Sequence, residues 1–376
     1  MFQPDDERWR RVLKVLEVDS KDLEFNVEKI KQRAGNSKII AVVKGNGYGL
    51  GLREFTSFLI KHGISDFAVS SVDEAIELSQ VCLDCNILCM EATCVESELE
   101  MLLESNVTIT IGNADTARFL NQLAKEKKVK ANVQLKIDTG FSRYGFDCDN
   151  KEAILRTIRE NASLLVTGIY SHFACAYSKK TEYTKLQFER FMSIKDFLEK
   201  NNIQISMYHI ANSSAFLKYQ SMYLDAVRIG SAFLGRVSVK NTVGLKRIGV
   251  LKSNVVSVKN IKNGTPIGYS NSEIAKRDTT LAIVPIGYSD GFNIEKKNDT
   301  FKIIDKIRML KNDFVGVFKD NRIYVLINEK RFPIIGMVGM NHIAVDITGS
   351  DVKIDDKVKI DVSPILISSK IRREYI

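Results

Sequence analysis

The sequence predicts an α/β protein: a (β/α)8 barrel of the TIM type over residues 1–240, followed by an all-β domain over residues 241–376. Three observations predict it. Eight short apolar runs alternate with amphipathic stretches through the first 240 residues, the pattern of a parallel sheet wrapped in helices. These runs do not strictly alternate apolar with polar residues, which suits strands covered on both faces. After residue 240 the helical periodicity stops, and β-rich runs follow one another across turn residues.

The eight runs are KIIAVVK (38–44), ISDFAVS (64–70), NILCM (86–90), NVTITI (106–111), NVQLKI (132–137), LLVTGIYS (164–171), SMYHI (206–210) and LDAVRI (224–229). Between them VDEAIELSQ, ADTARFLNQLAKEKK and EYTKLQFERFMSIKDFLEK carry apolar residues at helical spacing. A doubly wound sheet is the competing arrangement, but no G-x-G-x-x-G follows an early run. The later runs are VLKSNVVSVKNI, TTLAIVPIGY, RIYVLIN, RFPIIGMVGM, HIAVDITG and DKVKIDVS, and the charged segment 295–314 reads as an inserted hairpin or helix.

Length and composition bound the function. A chain of 376 residues is long enough for two cores, and 44% apolar with 27% charged residues is the balance of a folded protein. The net charge of +9 is scattered, most basic residues sitting beside acids, so it predicts a solvated surface and no nucleic-acid partner. It also suits an anionic cofactor and a carboxylate substrate. No run approaches the ~18 apolar residues of a membrane span. The N-terminal MFQPDDERWRR has no hydrophobic stretch behind it, so a cytoplasmic location is expected. Cys82 and Cys85 have zinc-site spacing, with Cys89 and Cys94 close by. Yet Cys89 lies in the apolar run NILCM, which predicts a packed thiol and no metal, and a cytosolic chain is expected to form no disulfides.

The chemistry-bearing residues gather at one end of the runs: Lys44, Lys136 with Arg143 beyond it, His172, Ser213, and Arg228 with Gly230. Polar groups there cost stability unless they are partnered or useful, and barrels place chemistry at the C-terminal ends of their strands. Lys44 closes AVVK and precedes Gly45, Gly47, Gly49 and Gly51. The plain reading is a glycine-rich turn with a lysine reaching solvent. The functional one is a desolvated amine for a Schiff base, with backbone free to approach a phosphate.

Through these residues the sequence resembles the alanine racemase family. AVVKGNGYGLG resembles its cofactor-lysine motif, with glycines at 45 and 47 where the family usually has alanines. LKIDTGFSRYGF, IYSHFACA, HIANSSAFL and VRIGSAFLG resemble the next four barrel motifs in order. PIGYSNSE, PIGYSDGF and GMVGMNHIAVDIT resemble those of the β domain.

The resemblance implies a pyridoxal phosphate (PLP) enzyme that interconverts L- and D-alanine, with serine or another small amino acid as the second choice of substrate. It makes Lys44 the Schiff-base lysine and one catalytic base, and Tyr269 the opposing base. Tyr48 and Ser213, with backbone at Gly230 and Ser231, hold the phosphate. Arg228 faces the pyridine nitrogen and His172 hydrogen-bonds Arg228. Arg143 lies near the phenolic oxygen and the substrate carboxylate, and Lys136 matches a lysine that is often carboxylated. Tyr288 and Met340 shape the substrate entrance. A homodimer with shared sites is implied as well.

Elementary chemistry agrees with a racemase. Two bases must flank the α-carbon, and since free Lys and Tyr both titrate near 10, nearby cations such as Arg143 and Arg228 must lower the working pKa. An arginine at the ring nitrogen makes a poorer electron sink than a carboxylate would, which disfavours transamination. Taken alone, several of these residues have structural readings. His209 reads as a core histidine, Asn212 as a turn brace, and Lys136 as a partner for Asp138. Asn341 and His342 depart from the family's usual Asp and Gln, and the C-terminal VSPILISSKIRREYI reads as a shortened helix without the usual phosphate-binding tyrosine. The rival readings are a PLP-barrel decarboxylase and a catalytically degenerate PLP-binding protein.

Overall fold

The computed structural model describes residues 14–294 and 322–376, so the inserted segment at 295–314 lies outside the described residues. The chain forms two compact units, residues 19–248 and residues 249–376 joined by the N-terminal segment up to Val18.

In the first unit all eight runs are parallel strands, Lys38–Val42, Asp66–Val69, Asn86–Cys89, Thr108–Ile111, Ala131–Asp138, Leu164–Tyr170, Tyr208–His209 and Ala226–Ile229. Each pairs with the next, apart from the short extra strand Phe146–Asp147 beside the fifth, and Ala226–Ile229 closes the ring by pairing with Lys38–Val42. The product is a closed (β/α)8 barrel with helices outside it. Local chemistry starts these helices. Asp19 caps Ser20–Ala34 by accepting the Asp22 N–H, Ser71 caps Val72–Val81 and Asn113 caps Ala114–Glu126. Leu23, Val27, Ile30 and Ala34 then share the buried face of the first helix. Each fully buried Leu, Val or Ile contributes about 1.5–3 kcal/mol.

Ile40, Val42, Ala68, Leu88, Tyr170 and Ala226 pack together as one buried cluster among the strands. Buried polar side chains lie on other strands of the barrel, Thr110, Gln134, Lys136 and His209, and on the last one, Arg228. Gly168 has a packing reason, because a Cβ there would lie 3.1 Å from the Gln134 amide.

Among the described residues, the second unit is built on a nine-stranded sheet running Ser257–Ile261, Thr279–Val284, Ile343–Asp346, Lys330–Ile335, Tyr324–Ile327, Lys357–Asp361, Val250–Asn254, Lys14–Val18 and Arg372–Tyr375. Its core gathers Leu16, Leu251, Val284, Val345 and Val358 from five of these strands. The first strand of the described residues, Lys14–Val18, therefore belongs to this unit, antiparallel to Val250–Asn254 and parallel to Arg372–Tyr375.

Two expectations are corrected. The C-terminal stretch is not a shortened helix: it forms a 3-10 turn at Pro364–Leu366 and the strand Arg372–Tyr375, which takes up hydrogen-bonding groups of Lys14–Val18. Cys82 and Cys85 are joined as a disulfide, their Cα atoms 5.5 Å apart across the link between helix Val72–Val81 and strand Asn86–Cys89. Cys89 is buried and free. No helix of the described residues is long and apolar enough to cross a membrane.

Candidate active site

Because the eight strands run parallel, the residues that follow them come to the same end of the barrel. Lys44, just past Lys38–Val42, is half-buried. Burial lowers its pKa, the charge of Arg143 lowers it further, and Glu74 opposes both. The backbone from Gly45 to Tyr48 turns back toward the last strand, and a Cβ on Gly230 would lie 2.6 Å from the Tyr48 hydroxyl. Only glycine permits that approach. Ser213 opens the short helix Ser213–Lys218, which Asn212 caps, and its Oγ accepts the N–H groups of Gly230 (3.1 Å) and Ala232 (3.4 Å). Tyr48, Ser213 and Gly230 thus form one connected patch, and Ser231 is half-buried beside it in sequence.

Arg228 is the hub of the buried polar network. Its guanidinium donates to His209 Nδ1 (2.7 Å), Ser171 O (2.6 Å), His172 Nδ1 (3.3 Å), Ile210 O (3.3 Å) and His209 O (3.3 Å). Every acceptor is neutral. Burial brings its pKa down to about 10, so it stays charged at neutral pH. Burial and then the Arg228 charge push both histidines well below 6.5, which keeps them neutral. A neutral His209 that accepts at Nδ1 carries its hydrogen on Nε2, where it donates to Gln134 Oε1 (2.8 Å). The expected His172–Arg228 bond is present, but His209 makes the shorter one. Its reading as a core histidine understated its place in the network.

Lys136 is buried and donates from Nζ to Ile137 O (2.8 Å). It does not hydrogen-bond Asp138, whose carboxylate instead accepts the N–H groups of Gly140, Phe141 and Ser142. Burial, the Arg228 charge and the Arg143 charge bring the Lys136 pKa to about 7 against the pull of Asp138. Arg143 is exposed on the following loop, with its guanidinium over the rings of Phe141 (4.5 Å) and Tyr144 (5.5 Å). Four basic side chains, Lys44, Lys136, Arg143 and Arg228, act electrostatically on His172. Such a mouth favours anions.

The remaining predicted residues assemble in the β unit. Tyr269, Tyr288 and Met340 line one hollow of about 520 Å³, together with Asn341 and His342. The turn carrying Tyr288 is laced to the Met340 loop: Tyr288 N–H donates to Gly339 O (3.1 Å), Ser289 N–H to Met340 O (3.0 Å) and Ser289 Oγ to Asn341 Oδ1 (2.6 Å). Asp290 holds that turn from below, accepting the Gly287 N–H (2.9 Å) and an ion pair from Lys14 (2.8 Å). Tyr269 is 67% exposed, Met340 51% and Tyr288 48%, so the unit presents these side chains outward instead of packing them.

Comparison with known proteins agrees with this architecture. Residues 18–238 match the alanine racemase N-terminal domain family and residues 248–363 the alanine racemase C-terminal domain family. An alanine racemase of Desulforamulus reducens is 35% identical over 221 residues, a match that covers 58% of this chain and 60% of that protein. Another, from Clostridium kluyveri, is 29% identical over 364 residues, covering 95% of this chain and 85% of the relative. The solved alanine racemase of Clostridium difficile 630 superposes with a TM-score of 0.85 at 27% identity, covering 98% of this chain and 96% of that one. The chain belongs to the alanine racemase family, whose members depend on PLP.

Proposed function

We propose that the protein is a PLP-dependent racemase that interconverts L- and D-alanine by a two-base mechanism. The observation that carries this reading is the buried Arg228 surrounded by neutral acceptors, at the same barrel end as a lysine of lowered pKa.

The residues present suit PLP. Lys44 offers the amine that would hold it, while Tyr48, Ser213 and the backbone of Gly230 and Ser231 offer donors and close approach for its phosphate. Arg228 would face its ring nitrogen, with His172 and His209 fixing the guanidinium. When bound, PLP supplies an electron sink that acidifies the substrate's Cα–H. The chain's part is to position groups and move protons. Lys44 would exchange a proton on one face and Tyr269 on the other, so that a proton removed from one side returns from the opposite side. Arg143 would neutralise the substrate carboxylate, Tyr288 and Met340 would limit the side chain admitted, and a carboxylated Lys136 would orient Arg143. An uncharged Lys136 amine is the form that can add CO2, losing a proton as the carbamate forms, and a pKa of about 7 leaves much of it uncharged at neutral pH.

Arg228 also favours a racemase over the decarboxylase alternative, since a permanent cation held beside the ring nitrogen would discourage its protonation and so make PLP a weaker electron sink than a carboxylate there would. We further propose a homodimer in which Tyr269 of one subunit serves the barrel of the other, supported by the outward presentation of Tyr269, Tyr288 and Met340. Incubating PLP-loaded protein separately with each common L-amino acid, followed by chiral chromatography, tests substrate and reaction together. L-Alanine should approach an equal mixture of enantiomers fastest; no D-enantiomer from any amino acid would overturn the racemase reading and leave the decarboxylase, recognised by loss of the amino acid, or the degenerate binder.

A further inference from the structure

Immediately after Lys44 the backbone winds the wrong way. Gly45 (φ 63°, ψ 49°), Asn46 (φ 55°, ψ 53°), Gly47 (φ 63°, ψ 40°) and Tyr48 (φ 52°) make one turn of left-handed helix. For a residue with a Cβ this conformation costs about 1–2 kcal/mol, so Asn46 and Tyr48 carry the strain while the glycines do not. Strained backbone persists where its surroundings over-determine it. Within the turn, Gly47 N–H donates to Val43 O (2.8 Å) and Gly49 N–H to Gly45 O (3.0 Å). The Asn46 side chain accepts the Leu52 N–H (2.9 Å) and so ties the turn to helix Leu52–Lys61.

The Asn46 N–H leaves the turn altogether and donates to Glu74 Oε1 at 2.9 Å. Glu74 is the third residue of helix Val72–Val81, and its own N–H is capped by Ser71 Oγ (3.3 Å). A glutamate at this position commonly reaches back to the N–H of its own cap residue. Here its carboxylate crosses to the loop of the adjacent strand, since Lys38–Val42 and Asp66–Val69 are neighbours in the barrel.

We propose that Glu74 is a positioning residue for Lys44: its carboxylate pins the left-handed turn through the Asn46 N–H and sets a negative charge against the lysine amine. Both effects follow from one side chain. The turn carries Tyr48 to Gly230, so loosening it would disturb the phosphate patch as well as the lysine. Arg143 and Glu74 are the charged groups acting on Lys44, and His172, the neutral group on which Lys44 acts in turn, adds no charge. Burial and Arg143 favour the uncharged amine and Glu74 favours the ammonium, so removing the Glu74 charge must lower the pKa of Lys44 further.

The proposal rests on Lys44 being the cofactor lysine, and the test separates the two ideas. In full-length protein stripped of PLP, the pH dependence of Lys44 acetylation is followed by mass spectrometry in wild type, Glu74→Gln and Glu74→Ala, and PLP affinity is measured for each. Glutamine keeps an acceptor and loses the charge. Glu74→Gln should move the acetylation midpoint of Lys44 to lower pH, because the charge that favours the ammonium is lost, with PLP affinity within about threefold of wild type. Glu74→Ala should show the same shift and bind PLP at least about tenfold more weakly, the scale of losing a hydrogen bond to a charged group. An unmoved midpoint in Glu74→Gln, or wild-type PLP affinity in Glu74→Ala, overturns the assignment; if the alanine variant does not fold, the glutamine midpoint decides alone. PLP bound at a lysine other than Lys44 would instead sink the functional reading and leave the measured Glu74–Lys44 coupling standing.

Discussion

Mixing Lys44→Ala subunits with Tyr269→Phe subunits should restore racemase activity to about a quarter of wild type, although each variant alone is nearly inactive. Loss of either base should cost about 10²–10⁴-fold, the usual contribution of a positioned acid or base. In a two-fold dimer whose sites draw Lys44 from one subunit and Tyr269 from the other, random exchange makes about half of the molecules heterodimers. One site of each heterodimer then holds both bases and the other neither, so about half of the dimers carry one of two sites. The exposure of Tyr269 motivates the experiment, because a tyrosine that is 67% exposed in the single chain has little packing there to orient it. Exchange shown by native mass spectrometry without any recovery would mean that the site is not shared, or that Tyr269 is not the second base.

The second large effect is expected at Arg228. Replacing it with glutamate should let the ring nitrogen stay protonated and strengthen the electron sink. Racemisation should then fall by on the order of 10²-fold, the scale of removing one oriented electrostatic partner. Conversion of bound PLP to its amine form by transamination should rise relative to racemisation. Arg228 also anchors five acceptors inside the barrel, so Arg228→Lys provides a charge-preserving control. Lysine keeps the positive charge and loses the fork, so the variant should lose rate while its product ratio stays near wild type. An unchanged ratio in Arg228→Glu would remove Arg228 as the ring's partner.

Much of this architecture was legible in the sequence for a local reason. Strands of a parallel barrel are buried on both faces, so each shows as a short apolar run, and KIIAVVK through LDAVRI all became strands. The polar residues ending those runs, Lys44, His172, Ser213 and Arg228, stood out for the same reason.

What the sequence hid depends on long-range partners. His209 reads as a core histidine because its acceptor Gln134 lies 75 residues earlier and its donor Arg228 19 residues later. Glu74 looks like one more charge on a helix surface, and only the parallel pairing of two strands brings it to Asn46. KVLEV near the N-terminus is too short to declare a sheet, and its place beside Val250–Asn254 spans more than 230 residues. The C-terminal REY segment is too polar to read as a strand; it becomes one because Lys14–Val18 offers an edge to pair with. The glycines around Lys44 announced a special backbone but not its hand.

Borohydride reduction of the PLP-loaded protein, followed by digestion and peptide mapping, tests the central claim most directly. Reduction turns the Schiff base into a stable secondary amine, so the attached lysine can be read from the modified peptide. The label should fall on Lys44 in the wild type and be absent from Lys44→Ala, where no amine replaces it. A label on any other lysine of the wild type, or undiminished labelling of Lys44→Ala, would contradict the account.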